Sequence, residues 1–158
     1  MPAVAPFSDE ETSAIERLPF LVFFLVAGSD GKVDDQEFNA FVNDLMDVAT
    51  GEGEGHEDAS VVHRLLANSS RYFESLHPQT KREVIEGGLD FILQTLEEGA
   101  ALLDGTLDIH SAKAYKTALC HLGRAVAEAS GGLLGIGNVS KDEKEALIKL
   151  SALLGVSA

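Results

Sequence analysis

Acidic side chains surround a glycine turn in residues 30–37, which read DGKVDDQE. Set against the calcium loop of an EF-hand, Asp30 falls at position 5, Gly31 at the sharp turn of position 6 and Glu37 at the bidentate position 12. Carboxylate oxygens at such positions bind hard divalent cations. The spacing therefore makes this turn a candidate cation site, with Ca²⁺, Mg²⁺, Mn²⁺ or Zn²⁺ as the ion.

Two ligand positions of that loop lack donors, because positions 1 and 3 fall on Val26 and Gly28. A hard cation takes about six to eight oxygen ligands, so the turn is not an ordinary EF-hand. It can supply half of a site that acids elsewhere in the fold complete. The carboxylates available for that half are those of Asp30, Asp34, Asp35 and Glu37.

Helix capping is the competing explanation for the same acids. Asp34 as an N-cap, with Glu37 three residues later, forms a capping box that stabilises a helix by about 1 kcal/mol. Ser140 and Glu143 repeat this arrangement near the other end of the chain, and Ser140 is a poor cation ligand. The parallel favours capping for Asp34 and Glu37. Capping does not require Asp30, although an Asp before Gly is also ordinary turn chemistry.

The two ends of the chain share a pattern that extends beyond these acids. The repeated units span residues 30–49 and 137–154, and both contain Gly-x-Val-x-x-x-Glu, at residues 31–37 and 137–143. Apolar residues continue in the same register as the pairs Phe41–Leu147 and Val42–Ile148. A glycine turn, a valine and a capped helix that occur twice predict a pseudo-twofold helical bundle.

These motifs resemble those of a known family. Residues 27–37, AGSDGKVDDQE, followed by an amphipathic helix, resemble the signature of tellurite-resistance TerB-like domains. The later Gly-x-Val-x-x-x-Glu, whose helix ends in Leu-Leu-Gly at 153–155, resembles the second, weaker motif of that family. The resemblance covers both ends of the chain and not its middle. It implies an all-helical fold of about seven helices with pseudo-twofold halves, and a role in bacterial tellurite resistance or a wider stress response.

The resemblance also implies a metal-sensing site at the acidic turns. Carried over by position, the acidic residues of the family are Asp30, Glu37 and Glu143. Ile136 stands in the second half where Asp30 stands in the first, so the two halves are not equivalent sites.

Helical periodicity predicts the remaining elements, and no segment alternates with the period of a strand. The predicted helices span residues 8–28, 34–49, 59–68, 70–76, 78–103, 109–129 and 140–154. Ser8 with Glu11 predicts a capping box, Pro78 a first helical position, Asp108 an N-cap and Gly155 a C-terminal stop. The chain is therefore expected to be one all-α domain over 1–158, with a glycine and acid loop at 50–58.

Two internal interruptions are expected in this pattern. Pro19 either bends the first helix or begins a second segment. Gly87 and Gly88 either kink the long segment or admit a close neighbour.

Charge narrows the classes of partner. The chain has 26 Asp and Glu against 12 Lys and Arg, a formal net charge of −14. Such a surface repels phosphate backbones and anionic membrane surfaces, so nucleic-acid binding is not expected. The most apolar run, at residues 18–27, is too short to span a bilayer, so membrane insertion is not expected either. The classes of partner that an acidic surface can attract are cations and the basic faces of other proteins. A single cysteine, Cys120, and the lack of a signal peptide at residues 1–9 favour a reducing cytoplasm, and the TerB-like resemblance implies a bacterial one.

No residues form a recognisable catalytic pattern, so an enzyme and an organic cofactor are not expected. Cys120 and His121 are adjacent on one helix and point apart, and Cys120 is expected to be a small buried hydrophobe. His56 and His63 could chelate a borderline metal together with the loop acids, although a solvated loop is the preferred interpretation. Two hypotheses stay open: a weak cation site with protein partners, and a pure protein-interaction scaffold whose acids cap helices.

Overall fold

The computed structural model describes residues 7–28, 35–50, 60–131 and 141–156, and all the regular structure in these ranges is α-helix. The helices are α1 (Asp9–Glu16), α2 (Leu18–Ala27), α3 (Asp35–Thr50), α4 (Ser60–Arg71), α5 (Phe73–Thr106), α6 (Ile109–Gly131) and α7 (Lys141–Leu154). The predicted all-α class is confirmed. Within these ranges, no helix combines the length and the apolar character that crossing a membrane requires.

The first predicted helix is two helices. Ser8 and Glu11 form the predicted capping box, with the Glu11 amide donating to Ser8 Oγ at 3.1 Å and the Ser8 amide donating to Glu11 Oε1 at 2.9 Å. A turn at Arg17 then separates α1 from α2, and Pro19 lies in the first turn of α2. Proline is tolerated there because the first amides of a helix have no partner inside it. Pro19 therefore begins a second segment.

Helix α2 is the centre of the molecule. All ten of its residues are buried, so it is apolar around its whole circumference. It packs against α5 and α6 most extensively, and also against α3 and α7. Helix α3 packs against α4 and α6 on the other side of the core. A helix without a polar face must be enclosed on all sides, and this requirement arranges the others around it.

Helix α5 begins earlier than predicted. The sequence predicts its start at Pro78, but the helix begins at Phe73 and Pro78 lies inside it. The amides of Ser75 and Leu76 already donate to the Tyr72 carbonyl, at 3.1 Å and 2.9 Å, so the first turn forms before Pro78. Pro78 removes one backbone hydrogen bond near the N-terminal end of α5, and the helix continues through it. Helix α4 correspondingly continues to Arg71, beyond the predicted end at residue 68.

The predicted interruption at the paired glycines is confirmed. Gly88 has φ 68° and ψ −158° inside α5, a conformation that is essentially restricted to glycine. The residue divides α5 into two helical segments. The second segment approaches α2 closely at Gly99, where a side chain would meet Leu18.

The predicted ends of the last two helices also hold. The amide of Ser111 donates to Asp108 Oδ2 at 3.3 Å, which caps α6. Gly155 has φ 74° and its amide donates to the Ser151 carbonyl at 2.8 Å, which closes α7. Both features need only a few neighbouring residues, so local sequence specifies them.

The apolar faces of the two repeated helices are not equivalent. Phe41 is fully buried in α3, and its predicted counterpart Leu147 is half-buried in α7. Ile148, the counterpart of Val42, is 69% exposed, whereas Ala146 and Leu150 form the buried face of α7. The buried face of α7 therefore begins one residue earlier than the sequence register predicts, because α7 packs on α6, α2 and α5 while α3 packs on α6 and α4.

Candidate functional site

The predicted acidic site lies mostly outside the described residues. Asp30 and Asp34 lie outside them, and for Glu37 the structure describes the backbone and not the side chain. The helix bounds place Glu37 third in α3 and Glu143 third in α7. This is the position that a capping-box glutamate occupies. Among the described residues, no group of three or more His, Cys, Asp and Glu side chains is arranged to hold a metal ion.

Glu143 is the one predicted site residue whose side chain is described. It is 1% exposed and lies on the buried face of α7, together with Ala146 and Leu150. A carboxylate removed from water needs partners inside the protein, and Glu143 does take part in an interaction there. Its burial agrees with a structural role at the start of α7. The contribution of Glu143 to a cation site stays a prediction.

A groove with an apolar lining lies between α2, α5 and α7. It encloses about 610 Å³. Helix α2 forms its floor, and α5 and α7 form its two walls. Its apolar lining comprises Phe24, Leu25, Val84, Ile85, Leu89, Ile92 and Ala146. A volume of this size lies within the range of ligand-binding clefts, which is about 300–1,000 Å³.

The α5 wall of the groove ends in exposed apolar side chains. Ile85 is 72% exposed and Leu89 is 50% exposed, although both are large and apolar. They stand on either side of Gly88, which itself lines the groove. A Cβ on Gly88 would meet no atom within 4 Å, so the glycine is needed for its backbone conformation and not for space. The break in α5 thus shapes the wall that carries these two side chains.

Charged side chains on the walls of the groove include two lysines that have no ion-pair partner among the described residues. Lys81 on α5 and Lys149 on α7 are exposed, and neither forms an ion pair with any described carboxylate. Glu145 on α7 is the acid that lines the groove. Three basic residues elsewhere are paired: Arg17 Nη1 lies 2.6 Å from Glu83 Oε1, and Lys116 and Arg124 have carboxylate partners.

An imidazole lies among phenylalanine rings next to the groove. The His77 ring stacks on Phe24, with centroids 5.2 Å apart and planes 15° apart, and its centroid lies 4.5 Å from that of Phe38. Two further rings, those of Phe20 and Phe23, lie at 6.2 Å and 5.9 Å. Burial lowers the pKa of His77, and the charge of Lys81 one turn later lowers it further. His77 Nδ1 is buried without a hydrogen-bond partner in the described part of the chain, so the neutral ring serves as an aromatic packing group.

A buried glutamate lies at the junction of α1 and α4. Glu16 is fully buried, and neither carboxyl oxygen makes a well-formed hydrogen bond within the described structure. Burial raises the pKa of Glu16, and the nearby Asn68 amide opposes this effect. The backbone around the side chain is anchored, because Ser69 Oγ donates to the Glu16 carbonyl at 2.8 Å and Tyr115 Oη donates to the Ile15 carbonyl at 3.1 Å. Sequence periodicity did not single out Glu16.

Among the described residues, Cys120 and the histidines other than His77 form no reactive arrangement with one another. Cys120 is buried, as predicted, and its Sγ lies 3.8 Å from Ser151 Oγ. Burial raises the pKa of Cys120, so the thiol is protonated and a poor nucleophile. His121 points to the surface, with Nε2 3.5 Å from Asp44 Oδ1. His56 lies outside the described residues, so a site that joins it to His63 is untested.

Comparison of the chain with protein-family models, with curated proteins and with solved structures finds no match. Membership of the TerB-like family therefore stays a prediction based on the two sequence motifs.

Proposed function

We propose that this chain is a non-catalytic protein-interaction domain that binds a helical segment of a partner in the groove between α2, α5 and α7. The observation that supports this proposal is the pair of exposed apolar side chains, Ile85 and Leu89, on the wall of a groove with an apolar floor. Each gains free energy when a partner removes it from water, at about 25 cal/mol per Å².

The wider role that we propose is that of a TerB-like domain in a bacterial tellurite or stress response, acting in the cytoplasm. This part rests on the motifs at residues 27–37 and 137–143. With it we propose weak binding of a divalent cation at the acidic turn of Asp30, Asp34 and Glu37. A domain without a cation site is the alternative, and the third-residue position of Glu37 in α3 favours it, because that is where a capping glutamate lies.

Site-directed photocrosslinking tests the groove. A photoreactive amino acid replaces Ile85 in one variant and Ile109, which is 82% exposed on α6, in a matched control. We expect a discrete adduct from position 85 and none from position 109. The crosslinked protein, identified by mass spectrometry and purified, should bind wild type and lose affinity for Leu89→Asp. Equal crosslinking from both positions would contradict the proposal.

A thermal-shift titration tests the cation. A ligand that binds the folded state raises the melting temperature by mass action. We expect one of Ca²⁺, Mg²⁺, Mn²⁺ and Zn²⁺ to give a saturable shift in wild type that Asp30→Asn loses, at constant ionic strength. Small, equal shifts for every ion in both proteins would indicate screening of the net charge of −14, and would leave the acids as helix caps.

A further inference from the structure

The walls of the groove specify the partner more narrowly than its apolar floor does. We infer that the occupant is an amphipathic α-helix whose apolar stripe is flanked on both sides by carboxylates, which Lys81 and Lys149 receive. This inference rests on the proposed function, since it concerns the same groove.

The secondary structure of the occupant follows from the shortage of backbone partners. The described residues form no strand, so the groove has no sheet edge that an extended peptide could join. An extended segment would bring unpaired N–H and C=O groups against Phe24, Leu25 and Ile92, and each buried unpaired group is costly. An α-helix satisfies its own backbone and presents apolar side chains at i, i+3, i+4 and i+7, the pattern of helix-in-groove recognition.

The flanking charges follow from the positions of the lysines. Lys81 belongs to the α5 wall and Lys149 to the α7 wall, so one cation lies on each side of the groove. Neither forms an ion pair with a described carboxylate, so both can receive a carboxylate from the occupant. A helix lying along the floor places residues on both sides of its stripe next to these two cations. Glu145 also lines the α7 wall and repels carboxylates. If the bound helix slid along the groove and brought a carboxylate next to Glu145, binding would weaken, so Glu145 favours one position of the bound helix.

At low salt, long-range charge opposes any acidic occupant, whether a second copy of the chain or a carboxylate-flanked helix, because the chain has a formal net charge of −14. At physiological salt the Debye length is about 8 Å. Attraction between a lysine and a carboxylate in contact therefore persists, whereas long-range repulsion from the net charge is largely screened. The experiment therefore uses physiological ionic strength.

The test measures fluorescence anisotropy with three dye-labelled helical peptides that share one leucine stripe and carry Glu, Gln or Lys at the flanking positions. Exposed ion pairs contribute little individually, so two together should make the Glu-flanked peptide bind roughly three- to tenfold more tightly than the Gln-flanked one. In Lys81→Gln/Lys149→Gln this ratio should fall to about one. The control Lys113→Gln/Lys144→Gln alters two exposed lysines that do not line the groove, lowers the net charge equally, from −14 to −16, and should keep the preference.

Three results would overturn the inference, and Ile85→Ser separates them. If all peptides bind equally, or the Lys-flanked peptide binds best, while Ile85→Ser weakens all three, the flanking charges are wrong and the groove still binds helices. If no peptide binds, or Ile85→Ser changes nothing, the proposed function fails as well. If sedimentation shows that wild type self-associates and Ile85→Ser is monomeric, the occupant is a second copy.

Discussion

Gly99 allows α5 to lie against α2, and replacing it with alanine should strain that contact by a measurable amount. A Cβ at position 99 would lie 2.7 Å and 2.8 Å from the two δ-methyl carbons of Leu18, which is 1% exposed. Carbon atoms prefer about 3.5–4.0 Å, so the helices or Leu18 must move by most of an ångström. Overpacking of this kind costs about 1–3 kcal/mol.

Gly105→Ala is the matched control, because it makes the same change in the same helix with no atom within 4 Å of the new Cβ. Both variants gain about 0.4–1 kcal/mol from a less flexible unfolded chain. Their difference in the free energy of unfolding therefore isolates the overpacking cost. In a domain of this size, about 1–3 kcal/mol corresponds to melting temperatures roughly 2–12 °C apart, with Gly105→Ala the more stable.

Urea denaturation of both variants, and of Leu18→Ala in the wild-type and Gly99→Ala backgrounds, gives the free energies. Leu18→Ala alone should cost about 2–5 kcal/mol, and less in Gly99→Ala, since the truncation also removes the clash. A coupling energy of about 0.5–3 kcal/mol is expected for residues in contact. Equal stability of Gly99→Ala and Gly105→Ala, together with additive effects, would refute the close approach of α2 and α5.

Three further predictions concern the backbone, a buried acid and a cap. Gly88→Ala should destabilise the protein by about 1–3 kcal/mol, because φ 68° with ψ −158° is strained for alanine. Urea denaturation, with Gly105→Ala as the control, measures this loss of stability. A Gly88→Ala variant more stable than wild type would contradict the prediction. For Glu16, a raised pKa means that its contribution to stability is fully present below the unfolded pKa near 4.5 and is lost as the pH rises through the folded pKa. The melting temperature of Glu16→Gln minus that of wild type, measured by calorimetry, should therefore increase from pH 4 to pH 8. A constant difference would mean that the pKa of Glu16 is the same in the folded and unfolded states. Ser8→Ala should lower the free energy of unfolding by about 1 kcal/mol, because it removes the cap of α1. Thermal denaturation measures this loss, with Ser75→Ala, a substitution at an exposed serine, as the control. An equal loss of stability in both variants would exclude the cap.

Local signals in the sequence predicted what local interactions specify. The caps at Ser8 and Asp108 and the stop at Gly155 each depend on atoms within about four residues, so their motifs are sufficient. Pro78 shows where such a rule fails. Proline is favoured at a first helical position, but the first turn of α5 lies N-terminal to Pro78 and is closed by hydrogen bonds to the Tyr72 carbonyl.

The groove could not be predicted from the sequence. Its floor and walls come from α2, α5 and α7, which lie far apart along the chain, and helical periodicity does not say which helices meet. Ile85 and Leu89 look like core residues in the sequence, and only the packing shows that they remain exposed. His77 was missed for the same reason, since its phenylalanine neighbours belong to α2 and α3. The acidic turn, which the sequence does single out, stays a prediction.

The burial of α2 has a consequence for synthesis on the ribosome. This decapeptide, LPFLVFFLVA, is made before α5, α6 and α7, which are among the helices that enclose it. From Ala27 to Leu154 is 127 residues, which takes about 6–25 s at 5–20 residues per second. During that interval the nascent chain contains its most apolar segment without the helices that later cover it. We therefore expect chaperone binding to be concentrated on α2, and slower translation before α5 to increase aggregation.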